Sequence, residues 1–399
     1  MDTSQNGSEY LKALFVSRPG IMENDDMQIE LIDQIDRLEE IRPFWKKLIS
    51  RSTLKDIYCL PEFFFPWWQV FGHGKEIYFI CFWNGKELSG LIPLYRVKKV
   101  GVKILYLAGE SRIDFIFQEG YEKRILSIFS DWLYRQRDWD LLVLRAFSLF
   151  TDNALYLKQI FNKNKILFYK DKKSFFINLY DFKDYDDYLK TTLSKHRLRN
   201  LIRVSTRIRE KENVETNIYK TVTPELIDEI ENLDSKMSLR GLGDDSFFSD
   251  SRNTEFLKLL VSEETFKKNT LLFSYRVDGY IVAFLLVFTL ENKAYFYQMS
   301  YHKDFNKYGV GIQALTMGIK YSFENSFSEC DFMLGDQEYK KKFGQSVRKT
   351  TRLIVYQNGF LSFLIYFYHK KIKPLRAKFK NNQYLKKIIP KELRKKIDI

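Results

Sequence analysis

The 399-residue chain is long enough for two domains that each bury a core. Hydrophobic residues at 45% and aromatics at 17%, with 35 Phe and 25 Tyr, exclude a disordered chain and point to aromatic-filled sheets. The net charge of +14 is not spread as a nucleic-acid-binding surface: from Lys370 to Ile399 twelve Lys and Arg stand against Glu392 and Asp398, so the last thirty residues carry +10 and the rest only +4.

Residues 1–28 are polar and aperiodic, the composition of a flexible N-terminus, and no basic segment followed by an apolar run announces a signal peptide. Leu31, Ile35, Leu38, Ile41 and Trp45 recur at helical spacing through 29–50, interrupted by Pro43. Pro61 to Trp68 opens a short aromatic helix. Glu76 to Trp83 and Leu88 to Val97 read as a hairpin about Asn84-Gly85, a pair suited to positive φ. Lys103 to Leu107 is a strand, and Ser111 to Asp114 is a polar turn that sets Arg112 and Asp114 near strand ends. Arg124 to Arg135 is a helix, Leu141 to Leu144 a buried strand, and Phe175 to Asn178 a strand that closes this half.

The next helix runs from Tyr185 to about Glu212, opened by Asp184 or Asp186 as a cap, with Leu189, Leu193, Leu201, Ile202 and Ile208 as its buried stripe. Arg199, Arg203 and Arg207 fall at i, i+4 and i+8, a row of guanidiniums. It is either a solvated surface or a face for phosphate, carboxylate or lipid headgroups. Pro224 to Met237 is helical, and Ser238 to Ser251 is a Gly/Asp/Ser-rich loop of the kind that covers a site. Leu271 to Arg276, Asp278-Gly279 and Ile281 to Leu290 make a second hairpin. It matches the first in its Asn/Asp-Gly turn and in a small residue, Gly90 or Ala283, on the return strand, which predicts a duplicated domain.

The stretch from Ala294 to Gly344 organises the rest. An aromatic strand to Tyr301 leads into Gly309 and Gly311, then a helix through Ile312, Leu315, Ile319 and Phe323. Glycines at such a junction free helical N–H groups for an anion, with the helix dipole behind them. A second strand, Asp331 to Leu334, ends in Gly335-Asp336-Gln337-Glu338-Tyr339-Lys340, and open α/β sheets place ligands near such ends.

These motifs resemble the GNAT superfamily of acyl-CoA acyltransferases, and more narrowly the tandem-domain CelD/BcsL-type acetyltransferases of cellulose and exopolysaccharide biosynthesis, related to the FemAB peptidyltransferases. The resemblance is carried by PEFFFPWWQVF, GLIPLY, LSKHRLRNLIR, the Asn306-x-x-Gly309-x-Gly311 turn and DFMLGDQEYKKKFG, and covers nearly the whole chain. It implies an α+β fold of two tandem GNAT-like domains, each a mixed, mainly antiparallel sheet flanked by helices. The boundaries are 29–178 and 179–358, followed by a basic and apolar tail over 359–399. It implies acetyl-CoA as acyl donor, its pyrophosphate on Asn306, Lys307, Gly309, Val310, Gly311 and Ile312. Asn306 departs from the Arg or Gln of the family pattern.

Acyl transfer from a thioester requires proton removal from the nucleophile, oxyanion stabilisation and protonation of the leaving thiolate. Asp336 is the candidate base or acceptor orienter, Tyr339 the candidate acid, and Lys340 an anion anchor; His302 is a further base candidate. Arg112 and Asp114 are expected to bind the acceptor, an amino or hydroxyl group of a sugar or cell-envelope precursor, and Arg199 and Arg203 to hold its anionic groups. A FemAB-like transferase using aminoacyl-tRNA and a non-catalytic envelope-assembly protein are the alternatives. Cys59, Cys81 and Cys330 have neither disulfide nor metal spacing, the four histidines no zinc spacing, and no metal is expected. No nucleophile elbow or phosphate-binding lysine loop is present, against serine hydrolases and common nucleoside triphosphatases. The longest uncharged apolar run, Tyr280 to Leu290, is well short of the ~20 residues of a spanning helix. The expected home is the cytoplasm, with the tail as a peripheral contact on anionic membrane.

Overall fold

The computed structural model describes residues 22–24, 27–109, 112–148, 153–161, 166–237 and 246–372. Most of residues 1–28, Ser111, most of the Ser238 to Ser251 loop and the tail beyond 372 lie outside the described residues. The first half runs β1 (Met22–Asn24), β2 (Met27–Ile32), α1 (Ile35–Ser50), α2 (Pro61–Phe71), β3 (Glu76–Asn84), β4 (Glu87–Lys99), β5 (Val102–Leu107), β6 (Ile116–Phe117), α3 (Glu122–Arg135), β7 (Leu141–Ser148), α4 (Asn153–Ile160) and β8 (Ile166–Asn178). The second runs α5 (Tyr185–Thr192), α6 (Lys195–Lys211), β9 (Val214–Tyr219), α7 (Pro224–Asn232), α8 (Ser251–Ser262), α9 (Glu264–Lys268), β10 (Thr270–Val277), β11 (Tyr280–Leu290), β12 (Lys293–Tyr301), α10 (Val310–Glu324), β13 (Glu329–Leu334), α11 (Glu338–Phe343), β14 (Ser346–Tyr356) and α12 (Phe360–Phe367).

All the strands join one sheet in the order β1-β2-β3-β4-β5-β7-β14-β8-β13-β12-β11-β10-β9, with β6 on β4. Its two arms repeat one plan. β2 to β5 and β9 to β12 are antiparallel runs, and each run passes through a helix to a parallel neighbour, β7 in the first arm and β13 in the second. A parallel neighbour cannot be reached by a tight turn, so the crossover helices α3 and α10 are obligatory. The closing strands are exchanged: β8 pairs with β13, β14 pairs with β7, and β8 and β14 pair with each other at the centre. The chain is thus an α+β fold of two tandem GNAT-like arms fused through one sheet.

Both hairpins form. Asp278 and Gly279 take φ of 49° and 83°, which closes the second one between Val277 and Tyr280. The first turns on Gly85-Lys86, one residue later than the sequence implies, because Asn84 still pairs with Glu87. Ile29–Ile32 belongs to a strand on β3 rather than to a helix. The long helix expected from Tyr185 to Glu212 is two: Leu193 is extended, and Ser194 recaps α6 by accepting from the Arg197 amide. That break resets the helical phase, so Ile202, expected in the buried stripe, is 60% exposed.

The largest core cluster fills the space between the arms and joins them. Phe63 of α2 meets Phe256 of α8 at 5.2 Å and Phe266 of α9 at 6.1 Å, both from the other half. A second cluster lies beneath α5, α6 and α10. Each fully buried Phe contributes roughly 1.5–3 kcal/mol relative to exposure, so the aromatic contacts across the arms weigh heavily in holding them together.

Candidate active site

β12 and β13 pair over three residues only, Lys293–Tyr295 against Glu329–Asp331. Two features then separate them. Tyr297 is a bulge, since Leu286 faces Gln298 while Val287 faces Phe296. Met333, at φ 62°, turns β13 aside. At the mouth of this splay a 3₁₀ turn over Lys303–Tyr308 reaches Gly309, at φ 60° and ψ 32°, and α10 begins. The Gly309 amide donates to the Asn306 carbonyl and the Gln313 amide to Gly309. The amides of Val310, Gly311 and Ile312, in the first turn, have no acceptor within the helix, which makes the turn a positive helix terminus. The two glycines serve different ends. Gly309 supplies the left-handed conformation, whereas a Cβ on Gly311 would lie 2.6 Å from Cδ1 of Tyr301.

A cleft of ≈ 370 Å³ opens over this turn, with the start of α6 as its opposite wall. Arg197 and Asn200 of α6 and Lys342 of α11 face Asn306, Lys307 and Gly309 across it. It adjoins a groove of ≈ 470 Å³ that shares Arg197, Ile312 and Lys342 and is bounded by Tyr339. Glu338 is the acid on that groove, and Lys341 donates to it at 2.8 Å. Cationic side chains and a helix terminus converging on one cleft fit an anion such as a pyrophosphate.

Of the expected donor residues, Asn306, Lys307, Gly309 and Ile312 line the cleft, while Val310 and Gly311 are buried beneath it. Tyr339 is half-buried on the adjoining groove. Asp336 is exposed on the loop leaving β13 and lines neither space. Lys340 is 5% exposed, and its ammonium donates to the Leu334 carbonyl at 2.7 Å, so it braces α11 against β13. Arg199 and Arg203 are exposed, with Arg203 donating to Asn200 at 2.8 Å. His302 caps the 3₁₀ turn by accepting from the Asp304 amide at 3.2 Å. The basic residue that α6 turns into the cleft is Arg197. The Ser194 cap three residues earlier is the signal that would have found it.

Arg112 and Asp114 part company. Asp114 is fully buried, accepting from the Phe115 amide at 2.6 Å and from Asn153 at 3.1 Å. Arg112 enters a buried charge network at the vertex of the splay, bonded to Asp56 at 2.8 Å and Asp331 at 2.6 Å. Asp331 also accepts from Ser174 and the Met333 amide, each at 2.8 Å, and from Arg348 at 3.1 Å, and Arg348 in turn holds Glu329. Burial pushes the Asp331 carboxyl up, but Arg112 and Arg348 outweigh it and hold it below its ordinary value. Burial raises Asp56, and Arg112 only partly offsets this. A cavity of ≈ 550 Å³ opens beside the network, lined by Arg112, Lys293, Tyr295, Glu329 and Arg348. Among the described residues no group of three or more His, Cys, Asp or Glu is arranged to hold a metal ion.

The strand order and the splay are those of a GNAT-like fold. Residues 195–341 match the family model described as an acetyltransferase (GNAT) domain. Among solved structures, FemX aligns with 84% of this chain and 100% of its own at a TM-score of 0.57 and 13% identity. A conserved protein of unknown function from Bacteroides thetaiotaomicron VPI-5482 aligns with 82% of this chain and 100% of its own, at 0.50 and 11%. A tandem GNAT protein from the clavulanic acid biosynthesis pathway aligns with 82% of this chain and 98% of its own, at 0.45 and 10%. At these identities the first two show a shared fold. The search of curated proteins finds no match.

Proposed function

We propose that the protein transfers an acyl group, acetyl in the first instance, from CoA to an amino or hydroxyl group of a sugar or cell-envelope precursor of exopolysaccharide type. The observation that carries this reading is the β12–β13 pair, which parts after three residues and has an anion cleft at its mouth. The CoA pyrophosphate sits on the first turn of α10 where Gly309 and Ile312 line the cleft, with Arg197, Lys307 and Lys342 around it. Bound acyl-CoA supplies the activated thioester, and the rest of the chemistry falls to the chain.

The backbone of β12 where the strands splay faces the developing negative charge on the acyl oxygen, and its N–H groups are the donors for it. Tyr339, on the groove that continues the cleft, delivers a proton to the departing thiolate. Asp336, on the adjoining loop, orients the acceptor or takes its proton. Lys340 acts as a positioning residue by fixing α11, and with it Tyr339, on the end of β13. The acceptor approaches on the face where Arg112, Tyr295 and Lys293 line the cavity at the vertex. No described helix is long and apolar enough to cross a membrane; the basic tail over 359–399 is proposed to rest on an anionic membrane surface.

The test is a CoA-release assay with acetyl-CoA and a panel of amino sugars and hydroxylated sugar precursors. Turnover by the parent that falls in Tyr339→Phe supports the reading. No turnover with any acyl-CoA, combined with salt-sensitive binding of aminoacyl-tRNA, transfers the function to the exposed row of Arg199, Arg203 and Arg207.

A further inference from the structure

We propose that the first arm carries its own site, for a phosphate- or diphosphate-bearing ligand, at the mouth of the β5–β7 pair. This inference does not rest on the acyl-transfer reading. Like β12 and β13, β5 and β7 run parallel and pair over three residues only, Ile104–Tyr106 against Leu141–Val143. Past that point Ala146 takes φ 49°, and the strands part.

The connection that follows differs from its counterpart. β12 leads through one tight turn into a glycine-opened helix, but the chain after β5 runs through Arg112 and β6 before α3 begins. The helix α3 has Tyr121 at its cap, without a side-chain cap, and Glu122 in its first turn. The start of α3 lines the cavity at the vertex, through Gly120 and Glu122, and not the cleft at this mouth, so this mouth has no helix terminus for a phosphate. It offers side chains instead.

A cleft of ≈ 580 Å³ lies at this mouth and takes Lys75, Lys99, Arg145, Lys172 and Arg352 against one acid, Asp171. Asp171 is already engaged: it accepts from the Ala146 amide at 2.9 Å and lies 3.7 Å from Arg352. Lys99, Arg145 and Lys172 form no ion pair among the described residues. Nε of Arg352 is buried without a partner there. Like charges gathered round one cleft disfavour each other unless an anion joins them, and guanidinium with ammonium is the chemistry that binds phosphate. The wall is aromatic. Tyr95 and Tyr106 stack at 5.6 Å and 28°, with Lys75 5.5 Å over Tyr95 and Arg145 5.5 Å over Tyr106. That wall suits the flat face of a ring or sugar carried by the phosphate.

Two sources of the phosphate are compatible with the surroundings. Tyr106 and Val143 are shared between the cleft and the patch on which Ile365 and Tyr366 of α12 pack. On the same helix Phe360, Phe363, Leu364 and Phe367 are exposed, a pattern that suits a bilayer surface and would bring a lipid headgroup near the cleft. A soluble nucleotide or sugar phosphate is the other source.

Calorimetric titration of the full chain with pyrophosphate and with ADP covers the soluble source. Co-sedimentation with phosphatidylglycerol against phosphatidylcholine vesicles covers the lipid one. With Arg197→Glu as the common background, so that the anion cleft of the other arm does not contribute, the expected result is binding of at least one of these probes that is weakened roughly tenfold or more by adding Arg145→Glu/Lys172→Glu. Circular dichroism checks the fold of the double variant, and the exposed Lys99→Glu repeats the test should that variant be misfolded. Vesicle binding without pyrophosphate or ADP binding identifies a lipid phosphate, and the reverse a soluble one. The proposal is overturned if no probe binds in the Arg197→Glu background, or if adding the first-arm charge reversals leaves that binding unchanged.

Discussion

Tyr295 on β12 stands opposite Asp331 on β13, the last pair the two parallel strands share before they part. The Asp331 carboxylate is fully buried beneath Arg112 and Arg348, and the Tyr295 hydroxyl donates to the Lys55 carbonyl at 3.2 Å. The point where the strands open is therefore fixed by groups drawn from both halves of the chain: Lys55, Asp56 and Arg112 from the first, Arg348 from the second.

Replacing Asp331 with Ala leaves two buried guanidiniums without that carboxylate. Breaking one partner out of a buried ion network costs about 3–5 kcal/mol. Urea unfolding of Asp331→Ala is expected to show a loss of this size, whereas Glu324→Ala, whose partner Lys320 is a surface residue four positions away, should lose less than about 1 kcal/mol.

The same network predicts a pH dependence. Asp331 is held below its ordinary value of 3.8, so it contributes stability above that value and loses it as pH falls through the lower, folded-state value. Asp56 has the opposite sign: its raised folded-state value favours the protonated acid, and its contribution fades as pH rises through that value. Thermal melts of the parent should fall steeply on acidification below 3.8, and Asp331→Asn should flatten that limb. An unchanged acid limb in Asp331→Asn would show that other carboxylates govern it.

The glycines of the turn should fail for separate reasons. Gly309→Ala forces a left-handed alanine, at about 1–2 kcal/mol. Gly311→Ala drives a methyl into the Tyr301 ring, at about 1–3 kcal/mol. Tyr301→Leu should relieve the second and not the first, which unfolding of the double variants measures as a coupling energy.

Tyr339→Phe is expected to lower kcat by roughly 10²–10⁴-fold, the usual contribution of a positioned acid, while leaving donor affinity intact. Lys340→Met should instead weaken stability and rate together, because it frees α11 from the Leu334 carbonyl. Equal losses in both variants would deny Tyr339 a separate role.

Much of this was legible in the residues because the forces involved are local. Asp278-Gly279 must turn, and the period of Ile312, Leu315, Ile319 and Phe323 must be helical, so the strand, turn and helix around the cleft follow from the sequence. The two matching hairpins foretold the duplication. What could not be read depends on partners far along the chain. Nothing in SVRKTTRLIVY tells that β14 will cross to β7 and leave β8 to the other arm. The buried ion pair of Arg112 with Asp331 spans 219 positions, so nothing near Arg112 in the sequence announces the network it joins beside the cavity. The Leu334 carbonyl that Lys340 meets is likewise revealed only by the path of β13. The phase of α6 turned on one capping serine, which is why Arg199 and Arg203 drew notice and Arg197 did not.

The central claim is that the cleft over the Gly309 turn holds the CoA donor. Calorimetric titration of the full chain with acetyl-CoA, beside Arg197→Glu, tests it most directly. Arg197→Glu is preferable to a bulky Gly311 replacement, which would clash with Tyr301 and confuse folding with binding. The account predicts micromolar binding by the parent, roughly −8 kcal/mol, reduced at least tenfold in the variant. No binding of CoA or any acyl-CoA by the folded parent, or equal binding by Arg197→Glu, would contradict it.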